Sequence, residues 1–299
     1  MTATARRLRM EHLEGRDLCA GNVSATVSGG NLIVTGDSAA NGLYIRYLGG
    51  TSYELESRST GLSSDPGTKI NGYGKIRLSG VTGDLRVNLG DGIDNLQVSS
   101  NVRATAPHLR HVLINMGTGQ RENVLLSQTW MSGDLSIDAG SGQANVQVGQ
   151  AGGVQVGGSM SIVTGGNNDN IEVAGTKVQR DLTISSGSGD DRITLANQPV
   201  GPVRVGGRLR LDAGYGHDRV VFTGIEVGVL DLLLGEGNDT LSVTRSKING
   251  GLADGGSGRD SLTLGAGNQL AGTRFVSFES GNVPVPANPQ PTPGNYWYW

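Results

Sequence analysis

A glycine corner recurs eight times in this chain and limits its fold more than any other feature. Aligned on that glycine, the rows begin LRVNLGDGIDNLQV (85–98), VLINMGTGQRENVLL (112–126), LSIDAGSGQANVQV (135–148) and MSIVTGGNNDNIEV (160–173). They continue as LTISSGSGDDRITL (182–195), LRLDAGYGHDRVVF (209–222), LDLLLGEGNDTLSV (230–243) and GLADGGSGRDSLTL (251–264). The corner glycines are Gly90, Gly117, Gly140, Gly165, Gly187, Gly214, Gly235 and Gly256, spaced 27, 23, 25, 22, 27, 21 and 21 residues apart. Such a period marks a repeat architecture, in which each unit buries its apolar face only against its neighbours.

The columns of the alignment give the local structure. Three residues before the corner stand Val87, Ile114, Ile137, Ile162, Ile184, Leu211, Leu232 and Ala253. Six after it stand Leu96, Val146, Ile171, Ile193, Val220, Leu241 and Leu262, joined by Val124 after a one-residue insertion. Eight after it the side chains are again apolar, from Val98 to Leu264. Apolar residues two apart follow the strand period, so each row predicts a strand, a glycine corner and a second strand. A third short β segment precedes the next row at Val154–Val156, Val178, Val203–Val205, Ile225–Val227 and Ile248. The expected fold is all-β: a single-stranded parallel β-helix, right-handed from coil length and chain chirality, with about eight coils of 21–27 residues. At ~4.8 Å per strand the rod would be roughly 35–40 Å long. A β-propeller would need four strands and about 40 residues per blade. In the stack, Asn95, Asn123, Asn145 and Asn170 share a column and are expected to hydrogen-bond along it.

Composition agrees. Fifty glycines in 299 residues is about 17%, against roughly 7% usually. The collagen period is absent, and the recurring Val, Leu and Ile exclude a disordered chain. Aromatics are 4%, so the core must be thin and aliphatic. The net charge of −3 carries no basic excess and argues against nucleic acid as a partner. One cysteine, Cys19, excludes an intrachain disulfide framework. No apolar run is long enough for a transmembrane helix, and the first thirty residues lack the apolar core of a standard signal peptide.

Outside the repeats (81–280) the chain divides into an N-terminal segment (1–21), a β-rich stretch (22–80) expected to form irregular first coils and cover that edge, and a Pro-rich tail (281–299). The N-terminal pattern Arg6-Arg7-x-Arg9-x-Glu11-x-Leu13-Glu14-x-Arg16-x-Leu18 resembles the motif RxLxxExLExRxLLA that opens many large planctomycete surface proteins. The resemblance covers about 15 residues. Met10-Glu11-His12 replaces the usual Val-Glu-Pro, and Cys19 stands where a second Leu is common. It implies an export or sorting signal, hence an extracellular or cell-surface location, with cell-surface or extracellular polysaccharide or protein as partners. A capping helix is the alternative for the same segment.

Four residues after the corner lies an acidic column: Asp94, Ala144, Asp169, Asp191, Asp218, Asp239 and Asp260, with Glu122 in the shifted row. Carboxylates stacked ~5 Å apart repel by about 1 kcal/mol even in water-like surroundings. Hydrogen bonds from corner amides, solvent or a cation must compensate. The rows resemble the calcium-binding nonapeptide of repeats-in-toxin proteins, Gly-Gly-x-Gly-x-Asp-x-aliphatic-x. GGSGRDSLT (255–263) matches in full, LGDGIDNLQ (89–97) and LGEGNDTLS (234–242) lack the first Gly, and YGHDRVV and SGDDRIT match in part. The resemblance implies Ca²⁺ at Asp169, Asp191, Asp218, Asp239 and Asp260. The alternative is a polysaccharide lyase or glycoside hydrolase using Asp191 and Asp218 as an acid–base pair. Its support is a faint similarity of Asn168-Asp169, Asp190-Asp191 and His217-Asp218 to polygalacturonase-type hydrolases. Repetition without a unique polar pocket favours a non-enzymatic structural or adhesive role, with no catalytic residue assigned.

Overall fold

The structure is a computed structural model and describes residues 21–60, 67–102, 106–150, 152–197, 199 and 201–282. The export-like pattern and most of the Pro-rich tail lie outside them. Among the described residues every regular element is a strand, and the strands form two long sheets and one two-stranded ribbon. No helix in this range is long and apolar enough to cross a membrane.

Parallel pairing joins each row to the next. In the first sheet Leu85 pairs with Val112, then Leu135, Met160, Leu182, Leu209, Leu230 and Gly251. The successive offsets are 27, 23, 25, 22, 27, 21 and 21 residues, the spacings of the corner glycines. In the second sheet Leu96 pairs with Val124, Val146, Ile171, Ile193, Val220, Leu241 and Leu262 in turn. The one-residue insertion before Val124 is thus absorbed at its corner and the register recovers at once. Alternate residues of both sheets point inward and form one buried aliphatic core, with Phe222 among its largest members. Strands buried on one face in this way place every second side chain outside.

The third β segment belongs to the first sheet. Thr129–Met131, Val154–Val156 and Thr176–Val178 pair in parallel and lead into the longer strands Arg204–Asp212 and Glu226–Leu233. In those two rows the third segment runs straight into the next first strand, with an irregularity between Val205 and Arg208 where Gly206-Gly207 bends the chain. At the N-terminal end Asn31–Thr35 pairs in parallel with the first row, and Gly42–Gly49 does so in the second sheet. Beyond it Ser52–Ser57 and Lys75–Leu78 add antiparallel. Buried Glu54 on that flap is held by Arg77 at 2.9 Å, with Arg46 and Lys75 beside it. This charge-laced flap covers the edge that would otherwise present open backbone.

All eight corner glycines have positive φ, from 80° at Gly140 to 111° at Gly235. A Cβ at Gly235 would also overlap the carbonyl oxygen of Gly214 in the preceding row. Gly50 has φ of +61° as well, but a Cβ there meets nothing. Gly235→Ala is therefore expected to cost at least about 3 kcal/mol, backbone strain plus collision, and Gly50→Ala only about 1 kcal/mol. Urea unfolding of the two variants measures the difference; equal losses would mean that the rows do not stack this closely.

Candidate functional site

The acidic column lies two residues before Leu96, Val146 and their equivalents. Period two therefore puts it on the same face as the core, not on an outer edge. Asp94, Glu122, Asp169, Asp191, Asp218, Asp239 and Asp260 are all at most 3% exposed. The structure does bring the five aspartates from Asp169 to Asp260 into one file, inside the wall.

Six of the seven carboxylates have a partner along the stack, and Glu122 keeps both oxygens without one. Oδ1 of Asp169 accepts from the backbone N–H of Ala144 at 2.7 Å, Asp191 from Asp169 at 2.8 Å and Asp218 from Asp191 at 2.8 Å. Asp239 accepts from Asp218 at 2.7 Å, and Asp260 from Asp239 at 2.8 Å. The expected donors were the corner amides. Instead each donor is the amide of the column residue one row earlier, because the corner glycine N–H groups turn elsewhere. Those of Gly90, Gly117, Gly140 and Gly256 go to Asn88, Asn115, Asp138 and Asp254 two residues before them, and Gly165 and Gly214 bond to backbone carbonyls of the next row. Ala144 donates like the others but offers no carboxylate.

The file extends beyond the repeats. Asn41 N–H donates to Asp94 at 2.7 Å, and Asp260 N–H finds Glu279 Oε2 at 2.7 Å. Neither residue was read from the sequence as a site. For Asn41 the signal was present: Asn41-Gly42-Leu43-Tyr44-Ile45 sets a polar residue two and four before buried apolar ones, as Asp94 does. Glu279 has no glycine corner to mark its row.

A second file runs beside the first, one residue earlier in each row and exposed. Asp190 N–H donates to Asn168 Oδ1, His217 N–H to Asp190 Oδ1, Asn238 N–H to His217 Nδ1 and Arg259 N–H to Asn238 Oδ1, at 2.8 or 2.9 Å. Here the side chain reaches forward to the next row, whereas in the buried file it reaches back. His217 thus has a place in a column, as an acceptor through Nδ1. Asp190 and Asp191 are adjacent in sequence but face opposite ways, and the Asp191 and Asp218 carboxylates are sealed from the surface. The Asn ladder forms as expected on the outer face of the second sheet: Asn123 to Asn95 at 2.9 Å, Asn145 to Asn123 at 2.7 Å and Asn170 to Asn145 at 2.8 Å.

Burial raises the pKa of every acid in the file, since the charged form loses water. Asp94 is pushed up to about 7, Glu122 to about 8, Asp169 to about 6 and Asp218 to about 7. Asp191, Asp239 and Asp260 are raised for the same reason. The amide bonds act in the opposite direction and are outweighed. The Oδ2 atoms of Asp94, Asp218, Asp239 and Asp260 have no hydrogen-bond partner. Calcium takes six to eight oxygens; the file offers free oxygens one row at a time, and no group of three or more His, Cys, Asp or Glu converges on a metal position among the described residues.

Comparison with family models, with curated proteins and with solved structures finds no match to this chain.

Two predictions follow from the buried file. Asp218→Ala leaves the Asp191 N–H without its acceptor and should cost about 1–3 kcal/mol in chemical unfolding; a neutral effect would mean that water or another group replaces the bond. The second concerns pH. These acids bind protons more tightly folded than unfolded, so their contribution to stability is full below the unfolded pKa and is lost as pH rises through the raised values. Unfolding free energy should therefore fall between about pH 5 and pH 8, by an amount on the order of a few kcal/mol. Asp84 and Glu54, whose pKa values are lowered by hydrogen bonds from Arg110 and Arg77, act in the opposite sense only at lower pH. Asp191→Asn/Asp218→Asn should flatten the slope, and an unchanged slope would place its origin elsewhere.

Proposed function

We propose that this chain is a right-handed, single-stranded parallel β-helix of about eight coils that serves as a rigid, non-enzymatic scaffold outside the cell or at its surface, in a structural or adhesive role. One observation carries the reading. The repeated acidic column, the strongest candidate for chemistry in the sequence, is occupied as a buried file of hydrogen-bond acceptors. Acids that hold consecutive rows together serve a mechanical purpose, and substrate cannot reach them. The row-to-row register supports the β-helix, and the surface location rests on the pattern from Arg6 to Leu18. Fractionating cells that produce the protein tests location: the chain is expected in the medium or envelope, and a wholly cytosolic chain would overturn that part. Incubation with a panel of acidic polysaccharides tests the other part; turnover by the wild-type chain would overturn the non-enzymatic reading.

Stabilisation by Ca²⁺ is a second reading, favoured by the unpaired Oδ2 atoms of Asp218, Asp239 and Asp260 in consecutive rows. It expects the melting temperature to drop in EDTA and to recover in excess Ca²⁺ at pH 7.5. A calorimetric trace indifferent to both removes calcium and leaves protonation as what relieves the file.

A further inference from the structure

The outer column of the third β segment is built differently from the corner. Trp130, Gln155, Lys177 and Arg204 are Cα partners in consecutive rows, and Glu226 and Lys247 continue the line. The residues flanking them, such as Val154, Val156 and Val178, are buried, so this column alone faces outward. It forms the floor of a trough of about 720 Å³. The described walls include Asn101 and Val102 on one row, Gly152 and Gly153 on another, and Gly201 and Pro202 on a third. These walls come from the longer rows, whose extra residues fall between the second strand and the third segment. Rows with only one or two residues there, such as Gly175 and Gly224-Ile225, keep the trough open along the stack.

The charged residues lining the trough are both cations, Lys177 and Arg204, in a chain whose net charge is −3. The exposed Lys177 ammonium has no ion-pair or hydrogen-bond partner among the described residues. Arg204 is paired with Glu226 through Nε at 2.8 Å and Nη2 at 3.0 Å, which holds its guanidinium in place beside a carboxylate. An indole at one end, an amide next to it, then two cations at a spacing of ~4.8 Å per row make an ordered sequence of contacts. We propose that this trough binds a linear anionic oligosaccharide, with one sugar ring stacked on Trp130, hydroxyls on Gln155, and carboxylate or sulfate groups on Lys177 and Arg204. Indole offers an apolar plate for the face of a pyranose, and guanidinium and ammonium recognise planar and spherical anions respectively. A single-stranded nucleic acid is the competing polyanion. It is disfavoured because such grooves stack successive bases on several aromatics, whereas the floor has one. The inference gives the adhesive role of the scaffold a ligand class, and it rests on that reading only for where the ligand would be met.

Affinity electrophoresis and calorimetry of the purified full chain would test it, with polygalacturonate as the carboxylated probe, dextran sulfate as the sulfated one, neutral pullulan, and oligo-dT. Saturable binding to at least one acidic glycan is expected, weakening as salt rises. Which of the two binds identifies the anion. Lys177→Ala/Arg204→Ala should lower affinity about tenfold or more, and Trp130→Ala about fivefold, while Arg274→Ala, exposed and away from the trough, should leave it unchanged. Lys177, Arg204 and Arg274 are exposed and Trp130 is half-buried, and an unchanged melting temperature confirms that the variants fold. Absence of binding to both acidic glycans, equal binding by the trough variants, or tighter binding to oligo-dT overturns the proposal. None of these results bears on secretion or on the lack of turnover, which the fractionation and incubation experiments decide separately.

Discussion

The hydrogen bond between a buried aspartate and the column amide of the preceding row is the interaction on which the stacking at the corner depends. Where the chain leaves the glycine corner and enters the second strand, that amide is inside the wall and has no water to turn to. A buried N–H left unpaired costs about as much as a lost hydrogen bond. The carboxylate of the next row closes it, and its own amide is closed by the row after. From Ala144 to Asp260 each row therefore completes its predecessor, and the file needs a terminator at each end. Asn41 supplies a donor at the N-terminal end, and Glu279 reaches in with a longer side chain at the other. Burial penalises the charge of these acids, and protonation of a carboxyl relieves that penalty while its other oxygen still accepts the amide.

The glycines belong to the same construction. The two files at the corner run in opposite directions, one buried and one exposed, and between them the backbones of successive rows approach so closely that a Cβ at Gly187, Gly214, Gly235 or Gly256 would overlap the preceding glycine's carbonyl oxygen. Positive φ is one reason for glycine at the corner; the absence of room is another, and it is felt only in the stack. Substitution at the corner thus acts on the contact between rows, whereas substitution in the outer file, where His217 and Asn238 alternate with Asp190, exchanges one acceptor for another.

Much of this was legible in the sequence. The corner spacings predicted the pairing offsets, the apolar columns predicted the inward faces, and the Asn95–Asn170 column predicted its amide ladder, because repeats and period two are direct consequences of backbone geometry. The side on which Asp191 and Asp218 lie was legible too, since they stand two residues before Ile193 and Val220, but the charge itself argues for an outer edge. The donor could not be read: it sits at the same column in another row, and nothing local marks it. The merging of Arg204–Asp212 into one strand and the antiparallel flap at Ser52–Ser57 also depend on contacts between distant segments, at positions without a repeat to reveal them.

Constancy and variation fall on different parts of the molecule. From the first strand through the corner to the second strand the rows keep a nearly fixed length, because the carboxylate file tolerates little change in rise or register. Differences of up to six residues between rows fall almost wholly in the sequence between the second strand and the third segment. The same physics that makes the corner unsuitable as a reactive site makes the third face free to differ from row to row. A repeated wall can hold only repeated contacts, whereas recognition of an asymmetric ligand needs an order of unlike side chains. Trp130, Gln155, Lys177 and Arg204 provide that order at a spacing set by the stacking of the rows.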